Sequence, residues 1–284
     1  KKISNIIKNF LNKYPVLEYR LNKGRERLFI LQIYKIAKRF KKITFIEIGS
    51  SDLNESIILT SIFGKKFFNS VIYEASEETY NTLKNKKIKF DLANINIFNQ
   101  AIVPDSKIYF LRKSKEQNLN RIISDGSNHD TEVKITNIRR FNEIEEIYPI
   151  KSHKILKMDI EGLEEELLNN NITLLSKLEN ISLCIELHQQ TYEDPKKLKE
   201  TFLELIRNKF TIEFVEFSMY CNPLILKEFL TNKNFISKNN NRYLIKKPKI
   251  DILDQLVNCD YRIIKKNPFY SPKNVRSVTF HKNK

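Results

Sequence analysis

Lys157, Asp159 and Glu161 recur at every second position through LKMDIEGLE at 156–164, and Cys184, Glu186 and His188 do the same through CIELH at 184–188. Period-two spacing places each set on one side of an extended segment, so two neighbouring strands would bring an imidazole, an ammonium and several carboxylates together. That grouping suits general acid–base proton transfer. His188 is the first candidate base, because its ordinary pKa lies nearest neutrality, and Asp159 is the second. A structural reading stands beside it: Lys157 and Glu186 could pair across strands, and Glu161 with Glu164 could only favour the start of a helix. Asp159, Glu161, Glu186 and His188 are also hard-metal donors. No fixed-spacing ligand signature accompanies them, so no residue is assigned as a metal ligand, and whether a metal assists stays open.

A second group lies upstream. ITFIEIGSSD at 43–52 and SVIYEAS at 70–76 are β-branched apolar runs that stop at acidic residues, as does ILKMDIEGLEEELL at 155–168. In an open α/β sheet the carboxyl ends of strands form the ligand crevice, so Glu47, Glu74 and Asp159 are expected to line it. A dinucleotide pyrophosphate wants several glycines, but Gly49 is alone and Glu47 and Asp52 would repel phosphate. A cationic ligand without phosphate fits better. S-adenosylmethionine is such a ligand: Glu47 would attract its ammonium end, Gly49 would let the backbone approach, and Glu74 would accept from the ribose hydroxyls.

The elements that must position these groups read as strand-to-helix crossings of a mostly parallel sheet flanked by helices. Ser76 caps a helix with Glu77 and Glu78 in its first turn and Lys84 and Lys86 in its last. Asp194 and Pro195 start another, whose buried face is Leu198, Phe202, Leu205 and Ile206. Residues 1–42 form a helical leader with an apolar stripe of Leu28, Phe29, Ile33, Ile36, Ala37 and Phe40, expected to pack on the sheet; a basic amphipathic helix can also touch a membrane surface. Residues 111–131 are polar and turn-rich, the expected loop over the site. The catalytic domain is placed at 43–248 and a basic extension at 249–284.

FIEIGSSD, VIYEAS, NQAIV at 99–103, LKMDIEGLE and CIELH together resemble the FkbM-type methyltransferases, over roughly residues 43–220, with KMDIEGLE the most specific piece. The resemblance implies a Rossmann-like class I methyltransferase fold and S-adenosylmethionine as cofactor. It adds Ser50, Ser51, Asp52, Ala75, Asn99, Gln100, Ala101 and Asp159 to the cofactor set, and Glu161 and His188 to the acceptor side. The chain departs from the pattern at Leu53, where the family usually has a second glycine. It departs again near Arg139, in ITNIRR, where the family tends to have threonine, leucine and aspartate.

Composition bounds the alternatives. At 284 residues the chain holds one sizeable α/β domain with appendages. Lys and Arg number 50 against 34 Asp and Glu, a net charge of +16. The lysines are dispersed over the whole chain and not interleaved with aromatics, so a solvated surface accounts for them better than a nucleic-acid site. Cys184, Cys221 and Cys259 are scattered, which points to a reducing cytoplasm. No apolar run is long enough to span a membrane. The chain begins at Lys1, and what precedes it stays open, as does the oligomeric state.

The expected function is therefore an O-methyltransferase acting on a hydroxyl, with a sugar, glycoconjugate or related small-molecule acceptor implied by the resemblance. Two alternatives stand: an RNA ribose methyltransferase, suggested by the basic surface, and a non-catalytic binding module that keeps the fold, suggested by Leu53.

Overall fold

The computed structural model describes residues 27–50, 52–65, 68–112, 120–123, 132–144, 152–218, 235–239, 242–248, 252–257 and 275–282. Helix α1 (Arg27–Ala37) leads into β1 (Ile43–Ile48), α2 (Asn54–Phe63), β2 (Phe68–Tyr73), α3 (Glu77–Lys89) and β3 (Ile95–Phe98). Short strands follow: β4 (Ala101–Val103), β5 (Phe110–Arg112), β6 (Arg121–Ile123), β7 (Glu132–Lys134) and β8 (Ile138–Arg140). The second half runs β9 (His153–Met158), α4 (Glu164–Lys177), β10 (Ile181–Glu186), α5 (Pro195–Arg207), β11 (Thr211–Ser218), β12 (Phe235–Asn239), β13 (Arg242–Lys246), α6 (Leu253–Val257) and β14 (Val275–Lys282).

Nine strands form one sheet in the order β12-β13-β11-β14-β10-β9-β1-β2-β3. The five from β3 to β10 are parallel, and β14 runs antiparallel between β10 and β11. Winding goes one way from β1 through β3 and the other way from β9 through β10, so the switch point lies between β1 and β9. Ligand crevices of open α/β sheets open there, at Gly49 and Asp159.

Strand alternation sorts the core onto two faces. Ile43, Phe45 and Ile155 pack under α1 with Leu28, Phe29, Ile33, Ile36 and Ala37. Ile46, Ile48, Leu156 and Met158 face the other way, in a cluster with Leu167, Leu168, Phe202 and Leu205 of α4 and α5. The apolar stripe of the leader thus lies on the sheet for residues 27–37; residues 1–26 fall outside the described residues. Ser76 accepts from the Thr79 amide and Asp194 from the Lys197 amide, with Pro195 opening α5.

Two expectations need correction. The domain does not close at 248, because β14, from the stretch read as a basic extension, is an interior strand of the sheet. Its Ser277 and Thr279 are buried, and Gln32 of α1 donates to Ser277 Oγ at 2.7 Å and accepts from Thr279 Oγ1 at 2.9 Å. Likewise, the stretch read as a loop over 111–131 contributes to a small antiparallel sheet, β6-β5-β7. Residues 113–119 and 124–131 lie outside the described residues.

Candidate active site

The β1-to-α2 turn is built for close approach. Gly49 has φ +77, and a Cβ there would sit 2.1 Å from the Asp159 carbonyl oxygen. The glycine therefore serves first to let the end of β1 meet the end of β9, where the Asp159 amide donates to the Ile48 carbonyl at 3.1 Å. Four residues on, Leu53 adopts φ 62, a left-handed backbone that suits glycine and strains a leucine. Its side chain is fully buried with Ile57, Ile72, Leu83, Leu92 and Ile95, and that burial holds the conformation.

Glu74 ties the first two strand ends together. Its carboxylate accepts from the Ser50 amide at 3.2 Å and the Ser76 amide at 2.8 Å. Burial pushes its pKa up to about 7, against the pull of those two amides. A carboxylate offers about four lone-pair positions, so two remain for ligand hydroxyls. Asn99 donates to the Glu74 carbonyl at 3.0 Å and to the Ala75 carbonyl at 3.4 Å, closing the third strand end onto the second. Ser50 Oγ and Gln100 Oε1 are buried without a hydrogen-bond partner, while Gln100 Nε2 reaches Asn137. Asp52 instead folds back on Asn54, accepting from its amide at 2.9 Å. Ala101 is fully buried in β4, and Ser51 lies outside the described residues.

Glu47 does not line the crevice. It faces α1 from inside β1, directly opposite Lys157 in the β1–β9 register, and is fully buried. Lys157 Nζ lies 2.8 Å from Glu47 and 3.4 Å from Glu55, with Asp159 at 3.7 Å. Burial pushes the Glu47 carboxyl up, and the Lys157 ammonium beside it pulls it back down. Burial would lower Lys157, but its three acidic neighbours hold it well above its ordinary value. Glu47 and Lys157 thus form a buried ion pair under α1.

At the carboxyl ends of β9 and β10 the acid–base groups converge. His188 is 1 % exposed, with Nε2 at 3.1 Å from Glu161 and 3.9 Å from Asp159. Its Nδ1 lies 2.8 Å from Glu164, a fully buried carboxylate that also accepts from the Ile160 amide at 3.0 Å and the Gly162 amide at 2.9 Å. The turn carrying Glu161 is tight: Glu161 has φ 51 and Gly162 φ 117, and a Cβ on Gly162 would meet Thr191 Oγ1 at 2.5 Å. Burial, then the Glu186 carboxylate, pushes Asp159 up to about 7. Glu186 pairs with Arg276 of β14 at 3.3 Å, not with Lys157. The residue that sequence reasoning missed is Glu164, read only as a helix-start acid; its place in IEGLE was the available signal.

The two halves form one continuous site. Gly49 touches Asp159, the next residue bonds Glu74, and Glu74 carries Asn99. Residues 58–217, more than half of the chain, match the model of the methyltransferase FkbM domain. The chain belongs to the FkbM methyltransferase family. The match opens inside α2, so the Gly49 turn of this FkbM protein precedes it, while Glu74, Asp159, Glu161, Glu164 and His188 fall within it. The fold is the Rossmann-like class I methyltransferase fold and the cofactor is S-adenosylmethionine.

Among solved structures, a precorrin-6y C5,15-methyltransferase from Geobacter metallireducens is 8 % identical over 88 % of this chain and 86 % of its own, with a TM-score of 0.39. A stretch described as StiE O-MT is 12 % identical over 88 % and 83 %, TM-score 0.39. A SAM-dependent methyltransferase from Aquifex aeolicus is 10 % identical over 81 % and 96 %, TM-score 0.36. No curated protein matches the sequence. Among the described residues, no helix is long and apolar enough to cross a membrane.

Proposed function

We propose that this FkbM protein is an O-methyltransferase whose acceptor is a hydroxyl of a sugar, a glycoconjugate or a related polyhydroxylated small molecule. The observation that carries the reading is the cluster of Asp159, Glu161 and His188, braced by Glu164, directly beside the Gly49–Glu74 crevice. Bound cofactor supplies a methyl group on a sulfonium. Glu74 would accept from its ribose hydroxyls, and the unpartnered Ser50 Oγ and Gln100 Oε1 would offer further polar contacts.

Alcohols need help losing a proton that an amine or thiolate does not. A positioned base contributes about 10² to 10⁴ in rate, and holding the acceptor in line with the methyl can supply about 7 to 11 kcal/mol more. Asp159, raised to about 7, and His188, oriented by Glu164, are the groups at hand. A cytoplasmic setting rests on the scattered cysteines of the sequence alone.

The test is transfer of labelled methyl from S-adenosylmethionine to a panel of glycans and polyols, with RNA alongside. Label on a hydroxyl of the former, lost in Asp159→Asn, supports the reading. Label only on RNA, or on nitrogen, sinks it.

A further inference from the structure

Three donors from two turns converge at the crevice floor. One carboxylate oxygen each of Asp159 and Glu161 and one ring nitrogen of His188 all lie within 4.8 Å of one another. The histidine of this grouping is held from its far side. Glu164 accepts two backbone N–H groups, and its Oε1 lies 2.8 Å from Nδ1 of His188. The other ring nitrogen, Nε2, lies 3.1 Å from Glu161 and 3.9 Å from Asp159.

We infer that Asp159, Glu161 and His188 hold a divalent cation of the Mn²⁺ or Mg²⁺ class, which binds the acceptor through its hydroxyl oxygen. The donor set, two carboxylates and one imidazole, suits a hard to borderline ion. Two ligands about 2.1 Å from an octahedral ion sit about 3.0 Å apart when adjacent, so the His188–Glu161 spacing already matches one edge. Lys157 approaches Asp159 at Oδ2, which leaves Oδ1, the oxygen nearer His188, for the ion. Glu164 supplies the carboxylate that orients a metal-binding histidine and fixes its tautomer. Asp159 and Glu161 are 28 % and 18 % exposed at their side chains, so the open coordination positions face the crevice.

The inference rests on the O-methyltransferase reading and deepens it: Asp159 and His188 act there as ligands, and the ion they hold, in place of either side chain as base, acidifies the acceptor hydroxyl. Coordination lowers the pKa of the acceptor hydroxyl. Its O–H bond breaks with the proton passing to water, the oxygen bonds the donor's methyl carbon, and the electron pair of the broken C–S bond stays on sulfur. An acceptor with a second oxygen next to the reacting hydroxyl would occupy two positions of the ion.

The test uses the full chain stripped with EDTA and titrated with Mn²⁺, following loss of the free-ion electron paramagnetic resonance signal. The expected result is one Mn²⁺ per chain, with affinity falling at least about tenfold in Glu161→Gln and about 10- to 100-fold in Glu164→Gln. No stoichiometric uptake overturns the site, as does uptake unchanged in Glu161→Gln, whose partly exposed side chain makes misfolding a poor explanation. Thermal shift with S-adenosylmethionine, run on the same stripped protein, separates the two claims. A cofactor shift without Mn²⁺ uptake ends the cation site alone, and Mn²⁺ uptake without a cofactor shift ends the methyltransfer reading alone.

Discussion

Glu164 lies 2.8 Å from Nδ1 of His188 and is pinned there by the amides of Ile160 and Gly162. The carboxylate holds the ring with Nε2 turned toward Glu161 and Asp159. Glu164→Gln nearly keeps the shape but replaces an acceptor with an N–H donor. Turnover should fall about 10²-fold or more, with S-adenosylmethionine affinity within about twofold of the parent; steady-state kinetics and calorimetry check both. A helix-start role alone would change stability and leave turnover intact.

Lys157 neutralises two buried carboxylates. Lys157→Met leaves Glu47 and Glu55 unpaired and should cost about 3 to 5 kcal/mol in denaturant unfolding. Adding Glu47→Gln should restore part of that loss, because one stranded charge is removed. A double variant no more stable than Lys157→Met would mean that Glu47 carries no charge in the folded protein.

Leu53 sets backbone strain against burial. Leu53→Ala keeps the left-handed φ and loses the buried side chain, costing about 2 to 5 kcal/mol. Leu53→Gly loses the same side chain but relieves about 1 to 2 kcal/mol of strain. The glycine variant should therefore be the more stable of the two in thermal unfolding, the reverse of their usual order in helices.

Much of this was legible in the sequence, for a physical reason. The runs at β1, β2 and β9 are apolar on both faces and end at polar turns, so parallel strands, their carboxyl-end acids and the crevice followed from pattern alone. Register did not. Glu47 resembles a crevice residue until β1 and β9 are aligned and Lys157 appears opposite it. β14 escaped because its buried Ser277 and Thr279 look like exposed positions, and the partners that satisfy them, Gln32 of α1 first among them, lie far away in sequence. Glu164 escaped because its partner, His188, comes from another strand end.

Glu74 should make cofactor binding pH-dependent. Burial raises its carboxyl from an ordinary 4.5 to about 7 in the ligand-free protein, and ribose hydroxyls donate best to the ionised form. S-adenosylmethionine affinity should rise as pH climbs through about 7, by up to tenfold per unit below it, and Glu74→Gln should flatten that rise. Stability of the ligand-free protein carries the opposite sign. The contribution from this raised carboxyl is fully present below 4.5 and is lost by about 7.

Binding of S-adenosylhomocysteine by calorimetry, to the parent and to Glu74→Ala, tests the central claim that the Gly49–Glu74 crevice is a methyltransferase cofactor site. The account predicts one site per chain in the parent, at least about 1.4 kcal/mol weaker in the variant, a tenfold loss. No binding by the folded parent, or equal binding by Glu74→Ala, would contradict it.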